Sequence, residues 1–495
     1  MESGRSLSKS YHRLPGAFWL ACLGLLSLFI YILAFLLPAD LLTLYDQPRL
    51  DLSLLFQGGN SAYARLIIAF AILGFLYWGS FRLVNRQVQG RAGWVIVITG
   101  MLAFILAFLF MAPFDAADIY DNIMHGRILG VHNANPFEQV IANYPDDPFF
   151  RYAAWKRAHS AYGPLWEILA GLAARFAGDG IIANVLAFKI LPGLFHLASV
   201  AIIYFYLRVH APEKALGGVL LLGWNPVLLY ESWGNGHNDM AMAFWFLLAF
   251  WWLSKRRYSL GILALLLGTL VKFIPVLLIS VVIMIALRDQ PKTTQKLAFI
   301  TKTGLVVGLL LGLFYYPFWN GGSTLDIGRR MQLFTTSIPS IIYKALTPSL
   351  GADEAGQIVS FFALGLLFLF VLYQSLTVGK NNPANTYLRA AFNILAFYLL
   401  AVCLWFHQWY SLWLIALAPL LDRDNRRFAL LFGFWVLSQK LVFGPRLVPR
   451  ILHAPPGGVV WLEALLALGV LGIPWLYAAW ILWKGLQMRR TYDGT

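Results

Sequence analysis

Charged residues are scarce in this chain of 495 residues: Asp, Glu, Lys and Arg together make up 12%. With a mean hydropathy of +0.67 there are too few polar groups to clothe a water-soluble fold of this size, so a bilayer must cover most of the surface. Cysteine is nearly absent. Cys22 and Cys403, the only two, lie in apolar runs, which excludes a disulfide framework or thiolate metal site and leaves them as small core filler. Short-period repeats, low-complexity tracts and a separate polar domain are also missing, so the chain reads as one membrane domain with a modified face. Acidic residues are outnumbered by basic ones, 23 to 38, for a net charge of +15. That excess falls in short loops between apolar runs, the positive-inside pattern, so no nucleic-acid partner is implied.

What is abundant is apolar sequence, 59% of the chain. The run from Gly16 to Leu37 carries no charge and is long enough to span a bilayer. Arg5, Lys9, His12 and Arg13 precede it as in a signal peptide, but its length and the lack of a small-residue cleavage site make it a retained first helix. Further spans are expected near 65–81, 92–112, 182–207, 215–232, 239–253, 297–317, 356–376, 389–405, 409–421, 428–443 and 459–484. The expected fold class is therefore all-α, a polytopic transmembrane helical bundle of about 12–14 spans. Arg82, Arg86 and Arg91, then Lys255 to Arg257, then Asp422 to Arg427 mark the cytoplasmic side. Three parts follow: a tail and two helices over 1–91, a core over 92–420 and C-terminal helices over 421–495.

Two segments do not fit a simple crossing. Tyr162 to Phe176 is short and holds Gly163, Pro164, Glu167 and Arg175; counted as a crossing, it would put the basic loop Arg208 to Lys214 outside, so it is expected to be a partial helix. Ser259 to Leu287 is longer than one span, is broken by Lys272 and Pro275, and has basic loops at both ends. It is expected to be a hairpin of two half-helices with Lys272 at its outward tip, and such irregular backbone at membrane depth predicts a site. Four polar segments then share the outer face: Pro113 to Ser160, Gly234 to Asp239, Asn320 to Lys344 and His407 to Tyr410.

Each candidate residue has a plain explanation beside a chemical one. Asp115, Asp118 and Asp121 recur at spacing three and would share a helix face; caps and solvated carboxylates explain one of them, but three at a membrane boundary call for use or pairing. Gly234 and Gly236 make a loop that sets His237, Asn238 and Asp239 at the mouth of a span, where a cap would account for Asn238 or Asp239. Lys272 in GTLVKFIPVLL is too far from Arg257 and Arg288 to snorkel well, and an ionised lysine there costs about 2.5–3.5 kcal/mol unless partnered. An anionic ligand such as a phosphate suits it, with Arg329 and Arg330 as helpers or as a solvated face. Trp405, His407, Trp409, Tyr410 and Trp413 form either an interfacial aromatic belt or a sugar or prenyl platform.

Five motifs in register resemble the GT-C superfamily of integral-membrane glycosyltransferases, and within it the bacterial polyprenyl-phosphomannose-dependent mannosyltransferases. They are DIY…GR…G…NPF from Asp118 to Phe137, YGPL from Tyr162 to Leu165, NP…NGHND from Asn225 to Asp239, KFIP from Lys272 to Pro275 and QWYSLW from Gln408 to Trp413. Relatives often carry Pro before WY, where this chain has His407 and Gln408. The resemblance implies a multi-pass cell-membrane enzyme with its active face extracytoplasmic, a polyprenyl-phosphate sugar donor and a lipid or glycan acceptor. It implies Asp118 as general base, with Asp115 as fallback. Tyr120, Asp121, Arg127, Asn135, Tyr162, His237, Asn238, Asp239, Lys272, Arg329, Arg330, His407, Trp409 and Tyr410 are the expected substrate-binding residues. A single carboxylate base implies inversion at the anomeric carbon. No cofactor is required by this scheme, and a divalent cation at His237 and Asp239 stays open. A transporter or flippase of polyprenyl-linked sugars is the rival, since broken helices and a lysine at membrane depth are transporter traits.

Overall fold

A computed structural model describes residues 15–46, 60–88, 90–114, 117–325, 332–379, 382–444, 447, 450 and 460–492. Among these the chain forms helices, turns and three isolated bridges, as expected of an all-α membrane bundle. Eight helical stretches are long and apolar enough to cross a bilayer: Gly16–Ala39, Tyr63–Gln87, Gly90–Leu109, Ile181–His210, Thr293–Phe318, Ala352–Leu376, Pro383–Val402 and Val460–Lys484. At 1.5 Å per residue the shortest of them covers about 30 Å, the thickness of a hydrocarbon core.

The principal elements are α1 (Gly16–Tyr31), α2 (Asn60–Gln87), α3 (Gly90–Leu109), α4 (Asp118–Gly130), α5 (Pro164–Ala177), α6 (Ile181–His210), α7 (Pro212–Gly223) and α8 (Asp239–Ser254). They continue with α9 (Tyr258–Thr269), α10 (Val276–Asp289), α11 (Thr293–Tyr315), α12 (Ile338–Leu350), α13 (Ala352–Leu376), α14 (Pro383–Phe397), α15 (Leu412–Leu417), α16 (Arg423–Val436) and α17 (Val460–Tyr492).

The remaining apolar runs are shorter and broken, for reasons written in their residues. The run 215–232 stops as α7 at Gly223; Asn225 then caps a new turn by accepting from Leu228 N at 3.0 Å, and a π turn over Tyr230–Gly234 delivers the chain to the NGHND loop. The run 409–421 opens as a 3-10 turn, Gln408–Ser411, before α15 begins. In the run 428–443, α16 gives way to a π turn at Gln439–Phe443. The first two of these interruptions are largely buried in protein, where freed backbone groups find partners.

Both irregular segments take their expected forms. The half-helices α9 and α10 pack on each other with Lys272 in the turn between them. Helix α5, only 14 residues long, lies on α4. That crossing is close because Gly126 and Gly130, spaced four apart, meet Ala170 and Gly171: a Cβ on Gly130 would lie 2.0 Å from the Gly171 carbonyl oxygen.

Candidate active site

The aspartate loop is anchored before it begins. Lys189, fully buried in α6, donates to the carbonyl oxygens of Phe108 and Leu109 at 3.1 and 3.3 Å and to that of Met111, taking up the open C-terminal end of α3. Just beyond, Asn235 Oδ1 accepts from Phe114 N at 3.4 Å. Asp118 then opens α4, half-buried in its first turn.

The YGPL motif docks the hairpin tip. Gly163 N donates to Val271 O at 3.0 Å, and Leu165 N and Trp166 N donate to Leu270 O at 3.0 and 3.3 Å. A Cβ on Gly163 would sit 2.2 Å from Leu270 O, so only glycine lets the two backbones approach. Tyr162 is thereby set beside Lys272, whose Nζ lies 5.7 Å from its ring centroid. The Tyr162 hydroxyl lies within electrostatic reach of Asp118 and Asp239; burial first, then those carboxylates, push its pKa well above the ordinary range. It remains a hydroxyl.

At the tip, Lys272 Nζ donates to Asp239 Oδ1 at 2.9 Å, and the same oxygen accepts from Trp413 Nε1 at 2.7 Å. The ammonium also stands over the rings of Tyr410 and Trp413, 5.1 and 6.0 Å from their centroids. Beside it, the Trp409 indole is sandwiched between two imidazoles, His237 at 4.0 Å and His407 at 4.2 Å between ring centroids, both nearly parallel to it. His237 and His407 lie in the polar segments outside the spans. Burial first, then the Lys272 and Lys440 charges, hold their pKa values well below the usual histidine range, so both rings are neutral.

Several buried polar atoms at this junction have no hydrogen-bond partner among the described residues: Ser232 Oγ, Asn235 Nδ2, Asn238 Nδ2, Asp239 Oδ2, His407 Nδ1 and Ser411 Oγ. Each such group costs about 1–3 kcal/mol if left unmade. Their concentration where NGHND meets QWY suits a ligand rich in hydroxyl groups. Among the described residues, no group of three or more His, Cys, Asp or Glu side chains is placed to hold a metal ion.

Tyr162, His237, Asn238, Asp239, Lys272, His407, Trp409 and Tyr410 are thus brought together from four separate stretches of sequence, with Asp118 within electrostatic reach of Tyr162. Other expected binding residues shape α4 and the loop that follows it. Asp121 Oδ1 accepts from Ala154 N and Trp155 N, both at 2.9 Å. Tyr120 stacks on Tyr152 at 5.1 Å. Arg127, buried, is held by Asp147 at 2.8 Å, Asp179 at 2.7 Å and the Gly178 carbonyl at 2.7 Å. Asn135 bridges Phe318 O and Phe137 N at 3.1 and 3.0 Å. Asp115, Arg329 and Arg330 lie outside the described residues.

Glu231 was not among the expected residues. It is fully buried, its Oε1 accepts from Gln408 Nε2 at 2.8 Å and its Oε2 lies 3.3 Å from His237 Nε2, so one carboxylate joins the NGHND and QWY segments. A lone acid inside the apolar run VLLYESW was the signal for it, as a lone lysine in AFKILPG was for Lys189.

The sequence profile described as alpha-(1->6)-mannopyranosyltransferase, N-terminal domain, matches residues 21–288, which carry all of these groups except those of the QWY segment and Lys440. Alpha-(1->6)-mannopyranosyltransferase A of Corynebacterium glutamicum is similar to this chain, 23% identical over 163 residues, a stretch that covers 33% of each protein. No solved structure matches. The profile match extends over more than half of the 495 residues, and the chain therefore belongs to the alpha-(1->6)-mannopyranosyltransferase family.

Proposed function

We propose that the chain transfers mannose from a polyprenyl-phosphate donor to a lipid or glycan acceptor on the extracytoplasmic face, with residues 92–420 as the catalytic core. The convergence of Asp118, Tyr162, the Asp239–Lys272 pair and the imidazole–indole stack, amid unpaired buried polar atoms, carries this reading.

The arrangement of charge along the helices supports the side. α8 starts at Asp239 in the site and ends beside Lys255 to Arg257; α9 runs back from there to the hairpin tip; α10 leaves the tip and ends at Arg288 and Asp289. Site and basic loops occupy opposite ends of the same helices, so a cytoplasmic set of basic loops leaves the site outside.

In the proposed reaction the Asp118 carboxylate takes the acceptor hydroxyl's proton as that oxygen bonds to the anomeric carbon. The bond from that carbon to the phosphate oxygen breaks, and the electron pair leaves with polyprenyl phosphate. One displacement inverts the centre, so the alpha product named by the family requires a beta-linked donor. Lys272 has three N–H donors and uses one on Asp239, which leaves two for phosphate oxygens. Asp239 Oδ2 accepts from a sugar hydroxyl, and the half-buried Tyr410 ring offers an apolar face to the sugar.

The test is incubation of the purified protein with labelled beta polyprenyl-phosphomannose and mannose-terminated acceptors. Label in the acceptor with equal release of polyprenyl phosphate is expected. Movement of intact donor across a vesicle membrane without cleavage would make the chain a transporter instead.

A further inference from the structure

Thr336 is a β-branched residue in the left-handed region, φ 54°, a conformation that such residues avoid and that the surroundings must enforce. One contact that holds it comes from α17. Glu463, in the first turn of α17, accepts with Oε1 from both Thr336 N and the Ser340 hydroxyl. An acid in a first turn is often there for the helix dipole alone, but that role needs no partner on another segment.

From Thr336 the bonding continues into the candidate site. Gln439 Nε2 donates to Thr336 Oγ1 at 3.0 Å and to Phe406 O at 2.9 Å, while its Oε1 accepts from Gln408 N at 2.9 Å. Gln408 Nε2 donates to Glu231, which faces His237. In parallel, Thr335 N donates to Leu404 O and Phe406 N to Thr335 O, each at 3.1 Å, so the 335–336 backbone is laced to the strand-like entry of the QWY loop. Glu463, Thr336, Gln439, Gln408 and Glu231 are all essentially fully buried, where each bond is strong and each loss is costly. The four members from Thr336 onward along the chain, and the helix that carries Glu463, lie beyond the family-matched segment.

We propose that Glu463 is a positioning residue: by holding Thr336 in its left-handed turn it fixes, through Gln439, the backbone from Phe406 to Gln408 and hence the place of Trp409 between the two imidazoles. The C-terminal helix thereby completes the site. This rests on the reading of that stack as the substrate platform.

Glu463→Ala removes the acceptor, whereas Glu463→Gln keeps an amide oxygen that can still take both donors. Backbone hydrogen exchange is measured over 404–411 in detergent, alongside mannosyl transfer. In Glu463→Ala the 404–411 amides should exchange faster and turnover should fall by about 10- to 100-fold, the scale of a misplacement near 1 Å, with donor KM changed less than kcat. Glu463→Gln should restore both to within a few-fold of the parent. Gln439→Ala should give the same pattern, and the double variant Glu463→Ala/Gln439→Ala should be no worse than either single change. Parent-like exchange over 404–411 in Glu463→Ala would overturn the proposal, as would fully additive losses or a Glu463→Gln as impaired as Glu463→Ala. If the parent transfers no mannose the functional reading fails, yet the exchange measurement still tests the link from Glu463 to the loop.

Discussion

Lys272 alone in an apolar run suggests that deleting its charge should ease membrane insertion and leave folding intact. Its partner changes that. Asp239 is 1% exposed and has Lys272 Nζ at 2.9 Å as its only cation in reach of an ion pair among the described residues. Lys272→Met leaves that carboxylate buried with only the Trp413 indole N–H on Oδ1. Breaking one side of a buried pair costs about 3–5 kcal/mol, and because the lysine side chain is 15% exposed the lower end applies, about 3 kcal/mol. The insertion gain does not offset this, since the hairpin stays in the bilayer in both the packed and the unpacked state. Lys272→Met/Asp239→Asn should recover most of the loss, because a neutral amide oxygen still accepts from Trp413 and leaves no unpaired charge. Thermal midpoints in detergent for the parent, both single variants and the double variant complete the cycle. A Lys272→Met as stable as the parent, or a double variant no better than the single, would refute this account of the pair. Turnover separates structure from chemistry: the stable double variant should remain inactive.

Gly163→Ala should displace the hairpin tip, since its Cβ would meet Leu270 O at 2.2 Å, and lower turnover by about 100-fold, while Gly365→Ala, whose added Cβ would meet nothing within 4 Å among the described residues, should leave activity unchanged in the same transfer assay. In intact cells an impermeant thiol reagent should reach Arg157→Cys in the outer loop but reach Lys214→Cys only after permeabilisation; labelling of Lys214→Cys from outside would invert the topology.

Much of the candidate site was legible because each motif needs particular residue types. KFIP breaks a helix and leaves a lysine at depth; YGPL supplies the glycine that admits Leu270; NGHND and QWY bring groups that an apolar run would not tolerate without a use. What the sequence could not show is which partner each group finds. Asp118 and Asp121 share a spacing, but only the contacts with Ala154 N and Trp155 N reveal that Asp121 ties down the loop. Arg127 looks like an anion-binding residue until Asp147 and Asp179, 20 and 52 positions away, are seen to hold it. Glu231 and Glu463 meet partners 177 and 123 positions away, beyond any local pattern. The broken spans were hidden for a related reason: apolar composition is the same whether a helix runs on or stops, and the stops at Asn225 and Gln408 depend on where the chain must deliver polar groups.

The central claim is that Asp118 acts as the base of a mannosyl transfer, and single-turnover transfer from labelled beta polyprenyl-phosphomannose by Asp118→Asn tests it most directly. Asparagine preserves shape and most hydrogen bonding but cannot take the acceptor's proton, so the rate should fall by a factor of about 10² to 10⁴ with donor affinity nearly unchanged. Asp121→Asn, whose amide oxygen can still accept from Ala154 N and Trp155 N, should lose far less. An Asp118→Asn protein that transfers mannose at the parent's rate would contradict the account.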